Sequence, residues 1–590
     1  VLSRLLHLAR PYLHRYAAGF ALLLATNGLS LWIPWLLRDA VRAMERNVDL
    51  RVIGRYALSI ALVALVQAVV RTLSRLAVLG TSRHVVYDVR NLFFRHLQRL
   101  GPSFFDSHRT GDIMSRGVND VRLVQSLYGP GVMNLMNTSI VYVAVLVLLL
   151  RIHVGLTLVS LALYPVLFLV VNRLSRRIYA RSLAVQEQLA TISNRAQENI
   201  SGIQQVKIFA QEERETARFR DLCAEYRQRN LSMVALRGGM LSAIGALSGA
   251  GTLIVLFVGG RLVIGGRIDL GDFVAFNAYL GLLVWPTIAL GWIINTIQRG
   301  TGAMRRIDEI LAQEPHAAGP AEDAEPQEDA ATGRTLVGDI EIRGLTFRYP
   351  VGQGEASSAR PALEDIDLRI PRGARVALVG PVGSGKSTLA DLLARFYEVP
   401  RGTIFLGGVD INDISLQRLR RAIGYVPQEA FLFSRSLREN IVLGYPSATD
   451  EDVGEVVALA RLAADLESFP QGLDTPVGER GYTLSGGQRQ RTALARAMLG
   501  DPGLLILDDS LSSVDADTER AILEALHERT RDRTLVLISH RLSTLAGVDR
   551  IVVLDGGRIV EHGTHAELIA RGGLYADLFQ RHLLEEKLSR

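Results

Sequence analysis

The sequence predicts an α-helical six-span transmembrane domain with long helix extensions into water, followed by an α/β domain on a largely parallel sheet. Three observations carry this reading. Hydrophobic residues make up 48% of the 590 residues and crowd into the first half, where six runs are long enough to cross a bilayer. Ala312 to Arg334 (AQEPHAAGPAEDAEPQEDAATGR) then turns to alanine, proline and acid with no apolar periodicity, the composition of a flexible linker. From about Val337, short β-branched runs alternate with helical ones, the pattern of an α/β domain.

The apolar runs are roughly Tyr16–Leu37, Gly54–Leu79, Val132–Leu150, Leu156–Val171, Met240–Val258 and Phe273–Ile297. Val1 to Pro11, with Arg4 and Arg10, reads as an amphipathic lead-in to the first span and not as a cleavable signal peptide. Turns after the first, third and fifth spans are short. Thr81–Val121 and Asn172–Arg237 are long, charged and helical, so they project far from the membrane and present tips on which something docks. Both are rich in arginine, which places them in the cytoplasm by the positive-inside bias. Arg38, Arg42, Arg46 and Arg51 in the first short turn break that bias, and Asp39, Glu45 and Asp49 are expected to offset them. The formal charge of +6 is thereby assigned to membrane flanks and not to nucleic acid. One cysteine, Cys223, excludes an internal disulfide or a cysteine metal cluster.

The strongest chemical signal is RVALVGPVGSGKSTLADLLARF. A strand, Arg375–Val379, enters the loop Gly380-Pro-Val-Gly-Ser-Gly-Lys-Ser, and an amphipathic helix leaves it, which is the setting that the GxxxxGK[ST] phosphate loop requires. Gly380, Gly383 and Gly385 let backbone N–H groups of the loop, Val382 and Ser384 included, curl round phosphates, and the helix start adds partial positive charge. Lys386 is one of only three lysines in the chain; it is placed to reach the β- and γ-phosphates, and the Ser387 hydroxyl to bind Mg²⁺. The run LLILDDS supplies the other half of such a site, with Asp508 holding Mg²⁺ and Asp509 beside the attacking water. LSGGQ, with Ser485, Gly486, Gly487 and Gln488, offers a second anion-binding surface at a helix start. Gln428 and His540 each end an apolar run; alone they read as structural, but the order Lys386, Gln428, LSGGQ, Asp508, His540 points to one site.

These motifs together resemble an ABC transporter of the exporter type, with membrane and ATPase domains fused in one half-transporter, over essentially the whole chain. The resemblance implies ATP and Mg²⁺ as cofactors and a division into a transmembrane domain (1–311), a linker (312–336) and a nucleotide-binding domain (337–590). It implies that Tyr349 stacks on adenine and that Gly380–Thr388 is Walker A. Gln428 is then the Q-loop and a Mg²⁺ ligand with Ser387 and Asp508, Thr475–Gly481 the X-loop, and Ser485–Gln488 lie in the signature. Ser512–Asp515 is then the D-loop and His540 the switch histidine. Phe104–Val121 and Glu198–Glu213 are similar to the two coupling loops. The family sandwiches each ATP between one Walker A and the partner's signature, so a second half-transporter is required.

The family's base after the Walker B aspartate is glutamate; here it is Asp509, one methylene shorter, which sets the carboxylate ~1.5 Å further from a water it must contact at ~3 Å. A spoiled Walker B beside an intact signature resembles the degenerate half of heterodimeric bacterial multidrug exporters. The alternatives are a homodimer or lipid flippase using Asp509 as base, and a mainly regulatory half. His540 is retained, which favours the homodimer. Six spans exclude a soluble ABC ATPase of DNA repair or translation, whereas direction is not legible in the ATPase motifs. The expected setting is the cell membrane, with the ATPase domain in the cytoplasm, lipids as neighbours and an amphipathic small molecule as substrate. Polar residues on the spans (Asn27, Gln67, Asn134, Asn137, Asn277, Asn295, Gln298) either line a cavity or bond other helices. Arg71 and Arg75 face the cavity or snorkel to the inner surface, and Arg75 lies near enough to that surface to snorkel.

Overall fold

The computed structural model describes residues 2–589 except 47–49, 316–337, 350–359, 479–480, 482, 530–532, 540, 542–544 and 546. It divides into two compact units, residues 1–98 with 111–313, and residues 99–110 with 314–590. Most of the expected linker lies outside the described residues.

The first unit is helical. A short helix α1 (Leu2–Ala9) leads into α2 (Leu13–Arg46), and α3 (Leu50–Leu97) returns. Then follow α5 (Thr110–Ile152), α6 (Val154–Ser201), α8 (Glu212–Ile264) and α9 (Leu270–Leu311). Two short helices sit at the loop tips, α4 (Pro102–Ser107) and α7 (Ile203–Ile208). Six of the long helices carry stretches apolar enough to span a membrane. With 48 residues α3 is about 72 Å long, more than twice the ~30 Å hydrocarbon thickness, so its charged end extends well into water. The first long loop is not one helix. Gly101 and Pro102 break it, since proline fits only the first turn of a new helix, and α4 forms there as part of the second unit.

Within this unit α2 packs along α3, α6 along α8, and α9 against α2 and α5. Leu149, Leu156, Phe276 and Tyr279 are fully buried between them, and the Tyr279 hydroxyl donates to the Leu31 carbonyl at 2.8 Å. Of the acids expected to offset the outer arginines, Asp39 does pair with Arg38, but two further acids join from elsewhere. Arg38 pairs with Asp272 at 3.2 Å as well as Asp39, and Arg42 pairs with Asp269 and Asp272, the acids that open α9. No pairing of these arginines with Glu45 occurs among the described residues, and Asp49 lies outside them. The counter-charge comes from a helix more than two hundred residues away, because the spans bring the end of α2 and the start of α9 together.

Among its described residues the second unit holds ten strands in two sheets. Strands β1 (Ile340–Phe347), β2 (Leu363–Ile370), β4 (Ile404–Leu406) and β5 (Val409–Asp410) form an antiparallel sheet in the order β2-β1-β4-β5. The other sheet runs β10-β9-β3-β8-β7-β6, built from β3 (Arg375–Val379), β6 (Ile423–Val426), β7 (Leu504–Asp508), β8 (Thr534–Ile538), β9 (Arg550–Asp555) and β10 (Arg558–Gly563). All of its pairings are parallel except β9 with β10. Strands β7 and β8 are buried along their whole length, as strands covered by helices on both faces must be. The register Val426↔Leu507 and Asp508↔Ile538 brings the C-terminal ends of β6, β7 and β8 to one edge, the edge at which β3 opens into the glycine loop. Open parallel sheets bind ligands at that edge.

Candidate functional site

The loop after β3 has the shape that its glycines predict. Gly380, Gly383 and Gly385 have φ of 152°, 81° and 100°, the region that L side chains avoid. A Cβ on Gly380 would meet the Leu554 carbonyl oxygen at 2.0 Å, so that position admits glycine alone. Helix α10 (Lys386–Leu393) starts directly behind the loop and aims its unpaired N–H groups into it. Val382 stands out at the loop's tip, 94% exposed, whereas Ser384 is buried. The Lys386 ammonium donates to the carbonyls of Gly380 at 2.9 Å and Pro381 at 2.7 Å, and lies 3.2 Å from the Ser384 hydroxyl. Burial lowers the Lys386 pKa, while Asp508 and Asp509 oppose the shift.

Across the crevice, the Ser387 hydroxyl donates to Asp508 Oδ1 at 3.1 Å. This puts one hydroxyl and one buried carboxylate oxygen side by side, hard donors of the kind Mg²⁺ takes, so the residues present fit that ion. Gln428 lies two residues beyond β6 and is exposed at the same sheet edge. His540 lies outside the described residues; β8, which precedes it, pairs with β7. Tyr349 is 41% exposed, and its hydroxyl sits 2.9 Å from that of Thr388, which ties the aromatic ring to the loop.

Asp509 follows β7 with φ of 43°, in the left-handed region, and its N–H donates to the Ile538 carbonyl at 2.9 Å. Aspartate tolerates this region better than most residues. Ser485 caps helix α11 (Gly486–Met498) in a reciprocal box: its hydroxyl accepts from Gln488 N–H, and Gln488 Oε1 accepts from Ser485 N–H. The signature is thus a true helix start, as its sequence predicts. Gly486 and Gly487 lie against Ser513, which a Cβ on Gly487 would approach to 2.9 Å.

Sequence reasoning missed the groups that hold these motifs together. Gln490 is buried; it donates to the Ser512 hydroxyl at 3.1 Å and accepts from Ser513 N–H at 2.9 Å. Arg541, next to His540, donates to the carbonyls of Ser512 and Val514 and pairs with the buried Glu519 on helix α12 (Ala516–Arg529). The segment Ser512–Asp515 is therefore gripped from two sides. The Tyr397 hydroxyl donates to Asp106 of α4 at 2.7 Å, and the Tyr397 ring meets Tyr349 edge-on. No local pattern marks Gln490, Arg541 or Tyr397, because each acts on a partner remote in sequence.

Asp391, on the buried side of α10, accepts from the Tyr425 hydroxyl at 2.8 Å. Burial pushes its carboxyl up to about 6, against that hydrogen bond and with help from Asp508 and Asp106. A raised carboxyl pKa means that the native state favours the neutral acid. The stability this gives is complete below the unfolded value near 3.8 and is lost as pH rises through about 6. Asp391→Asn cannot ionise, so it is expected to raise Tm by several degrees at pH ~8 and by about half as much at pH ~5. Thermal unfolding of the nucleotide-free chain checks this; an equal gain at both pH values would contradict it.

Comparison with known proteins agrees with this geometry. Residues 16–287 match the family described as ABC transporter transmembrane region, and residues 363–512 the family described as ABC transporter. The chain is 34% identical over 586 residues to the probable multidrug resistance ABC transporter ATP-binding/permease protein YheI of Bacillus subtilis, spanning 99% of this chain and 98% of that one. It is 33% identical to the multidrug resistance-like ATP-binding protein MdlA of Escherichia coli, over 97% of this chain and 95% of the other. A solved bacterial Atm1-family ABC exporter with ATP bound superposes with a TM-score of 0.78 at 27% identity, covering 96% and 99% of the two chains. The chain belongs to the ABC transporter family and is a multi-span membrane exporter whose fused, ATP-hydrolysing domain faces the cytoplasm.

Proposed function

We propose that this chain exports amphipathic small molecules or lipids as one half of a heterodimer, and that the ATP site on its own Walker motifs hydrolyses slowly. The observation that carries this is Asp509 beside an intact, capped LSGGQ helix. A shortened base weakens only this chain's own site, whereas its signature serves the partner's ATP. Residues 1–311 form the transmembrane domain, 312–336 the linker and 337–590 the nucleotide-binding domain. Tyr349 holds the base, the Gly380–Thr388 loop and Lys386 hold the phosphates, and Ser387, Asp508 and Gln428 hold Mg²⁺. That ion, when bound, neutralises charge on the phosphate oxygens. His540 steadies the γ-phosphate end, and Asp509 sits beside the attacking water.

The tip of the second long loop supports a partner. Ile200, Ile208 and Phe209 there are 74%, 73% and 66% exposed, an apolar cluster at the far end of two long helices. Such a cluster fits a second ATPase domain. The multidrug names of the relatives support an amphipathic substrate. ATP closes the two ATPase domains, the loop tips carry that motion to the spans, and hydrolysis at the partner-dominated site resets them. The retained His540 favours a second reading, a homodimer in which Asp509 is the working base.

The test is to purify the tagged chain from its native membrane and identify the other half by mass spectrometry. A different ABC chain with glutamate after its Walker B aspartate supports the heterodimer. Recovery of this chain alone would make Asp509 the working base and end the slow-site reading.

A further inference from the structure

Two cavities in the transmembrane unit share an unusual lining. The first, about 300 Å³, lies between α2, α3, α5 and α9, and Arg71 and Arg75 reach it beside Asn27, Asn134 and Asn137. Arg71 and Arg75 therefore line a cavity wall, one of the two placements their sequence allows. The second, about 540 Å³, lies between α6 and α9 and takes Arg176 and Arg299 with Asn172, Asn295 and Gln298. Apolar side chains, Leu23 and Trp285 in one and Phe168 and Ile294 in the other, complete the walls.

Neither cavity has a carboxylate in its lining, and none of the four arginines forms an ion pair among the described residues. The six apolar runs themselves contain no aspartate or glutamate. Arg71 lies seventeen residues along the span from Gly54, about 26 Å, near the inner surface, and Arg75 is one turn nearer that surface on the same helix face. Guanidinium groups at the inner margin of the spans need water or a counter-ion, and these face pockets with an apolar wall. Arginine is also the side chain whose planar fork matches a carboxylate, sulfonate or phosphate with paired hydrogen bonds.

We propose that these cavities receive amphipathic anions, an apolar body carrying a carboxylate, sulfonate or phosphate head, with the head on the arginine pair and neighbouring amides. Amphipathic cations find no counter-charge there and are disfavoured. This rests on the export reading and narrows its substrate. A lipid headgroup and a dissolved amphipathic acid offer the same chemistry, so the test separates them.

The experiment uses inside-out phosphatidylcholine vesicles carrying the complete transporter, with any partner that co-purifies. The probes are NBD-labelled dodecanoic acid, its neutral methyl amide and its trimethylammonium analogue, and NBD-labelled phosphatidylglycerol against phosphatidylcholine. ATP-dependent uptake of the acid is expected to half-saturate at a concentration at least ~10-fold below that of the amide or the cation. A preference that extends to phosphatidylglycerol assigns the anion to lipid, and one confined to the acid assigns it to a solute. Arg71→Gln with Arg75→Gln reduces the acid-to-amide preference about tenfold, and the double lysine replacement restores most of it. Should that double variant fail to reach the membrane, Arg176→Gln with Arg299→Gln carries the same test at the second cavity. Preferred transport of the cation or the amide overturns the inference while leaving export intact, as does a preference untouched by the glutamine variants. Uptake of no probe at all overturns both.

Discussion

Asp509→Glu is expected to raise hydrolysis at this chain's own Walker site about 100-fold. The reason is reach. The added methylene carries the carboxylate ~1.5 Å toward the water it must contact, and a misplacement of ~1 Å costs about that factor. In barrier terms the gain is roughly 2.7 kcal/mol. The opposing effect is backbone strain, because position 509 has φ of 43° and glutamate lacks aspartate's tolerance for that region. A non-glycine residue there costs ~1–2 kcal/mol in all, most of which Asp509 already bears, so the added cost is a fraction of this. The rate gain wins. Phosphate release by a dimer whose other ATP site has lost its Walker A lysine isolates the effect. A rate within twofold of the parent would remove the slow-site reading.

Lys386→Met is expected to weaken ATP binding at least ~100-fold while leaving the nucleotide-free fold standing. Lys386 is 6% exposed, and its ammonium donates to loop carbonyls, the atoms that a phosphate's oxygens replace as acceptors. Two charge-assisted bonds to phosphate contribute ~1.5–3 kcal/mol each, which sets the expected loss. Burial already lowers the lysine's pKa, so holding the charge there costs the empty domain energy that methionine does not spend. Unfolding with and without Mg²⁺-ATP reads both effects. The nucleotide-free Tm stays near that of the parent, and the ATP-induced rise disappears. A variant that keeps the ATP-induced rise would show that the phosphates lie elsewhere.

The parts of the site that were legible in the sequence are those whose physics is local. The loop from Gly380 to Ser387 follows from one strand, three glycines and one helix start, and the Ser485 cap from four consecutive residues. Six spans were legible because bilayer thickness imposes a length on each. The grip of Gln490 and Arg541 on Ser512–Asp515 was not, since it joins groups 22 to 29 residues apart that no periodicity connects. Nor was the contact of Tyr397 with Asp106, separated by 291 residues. The pairing of Arg42 with Asp269 and Asp272 shows the same limit, because the sequence offered nearer acids. The antiparallel sheet of β1, β2, β4 and β5 was also unread; its strands β4 and β5 span only three and two residues, too short to show a period of two.

The most direct measurement of the proposed slow site asks which nucleotide this chain retains while the transporter works. The turning-over dimer is photolabelled with azido-ATP carrying label on either the α- or the γ-phosphate, and the two subunits are separated. If Asp509 is an ineffective base, this chain keeps both labels in equal amount, while its partner keeps only the α-label. Loss of the γ-label from this chain as fast as bulk ATP is hydrolysed would contradict that claim.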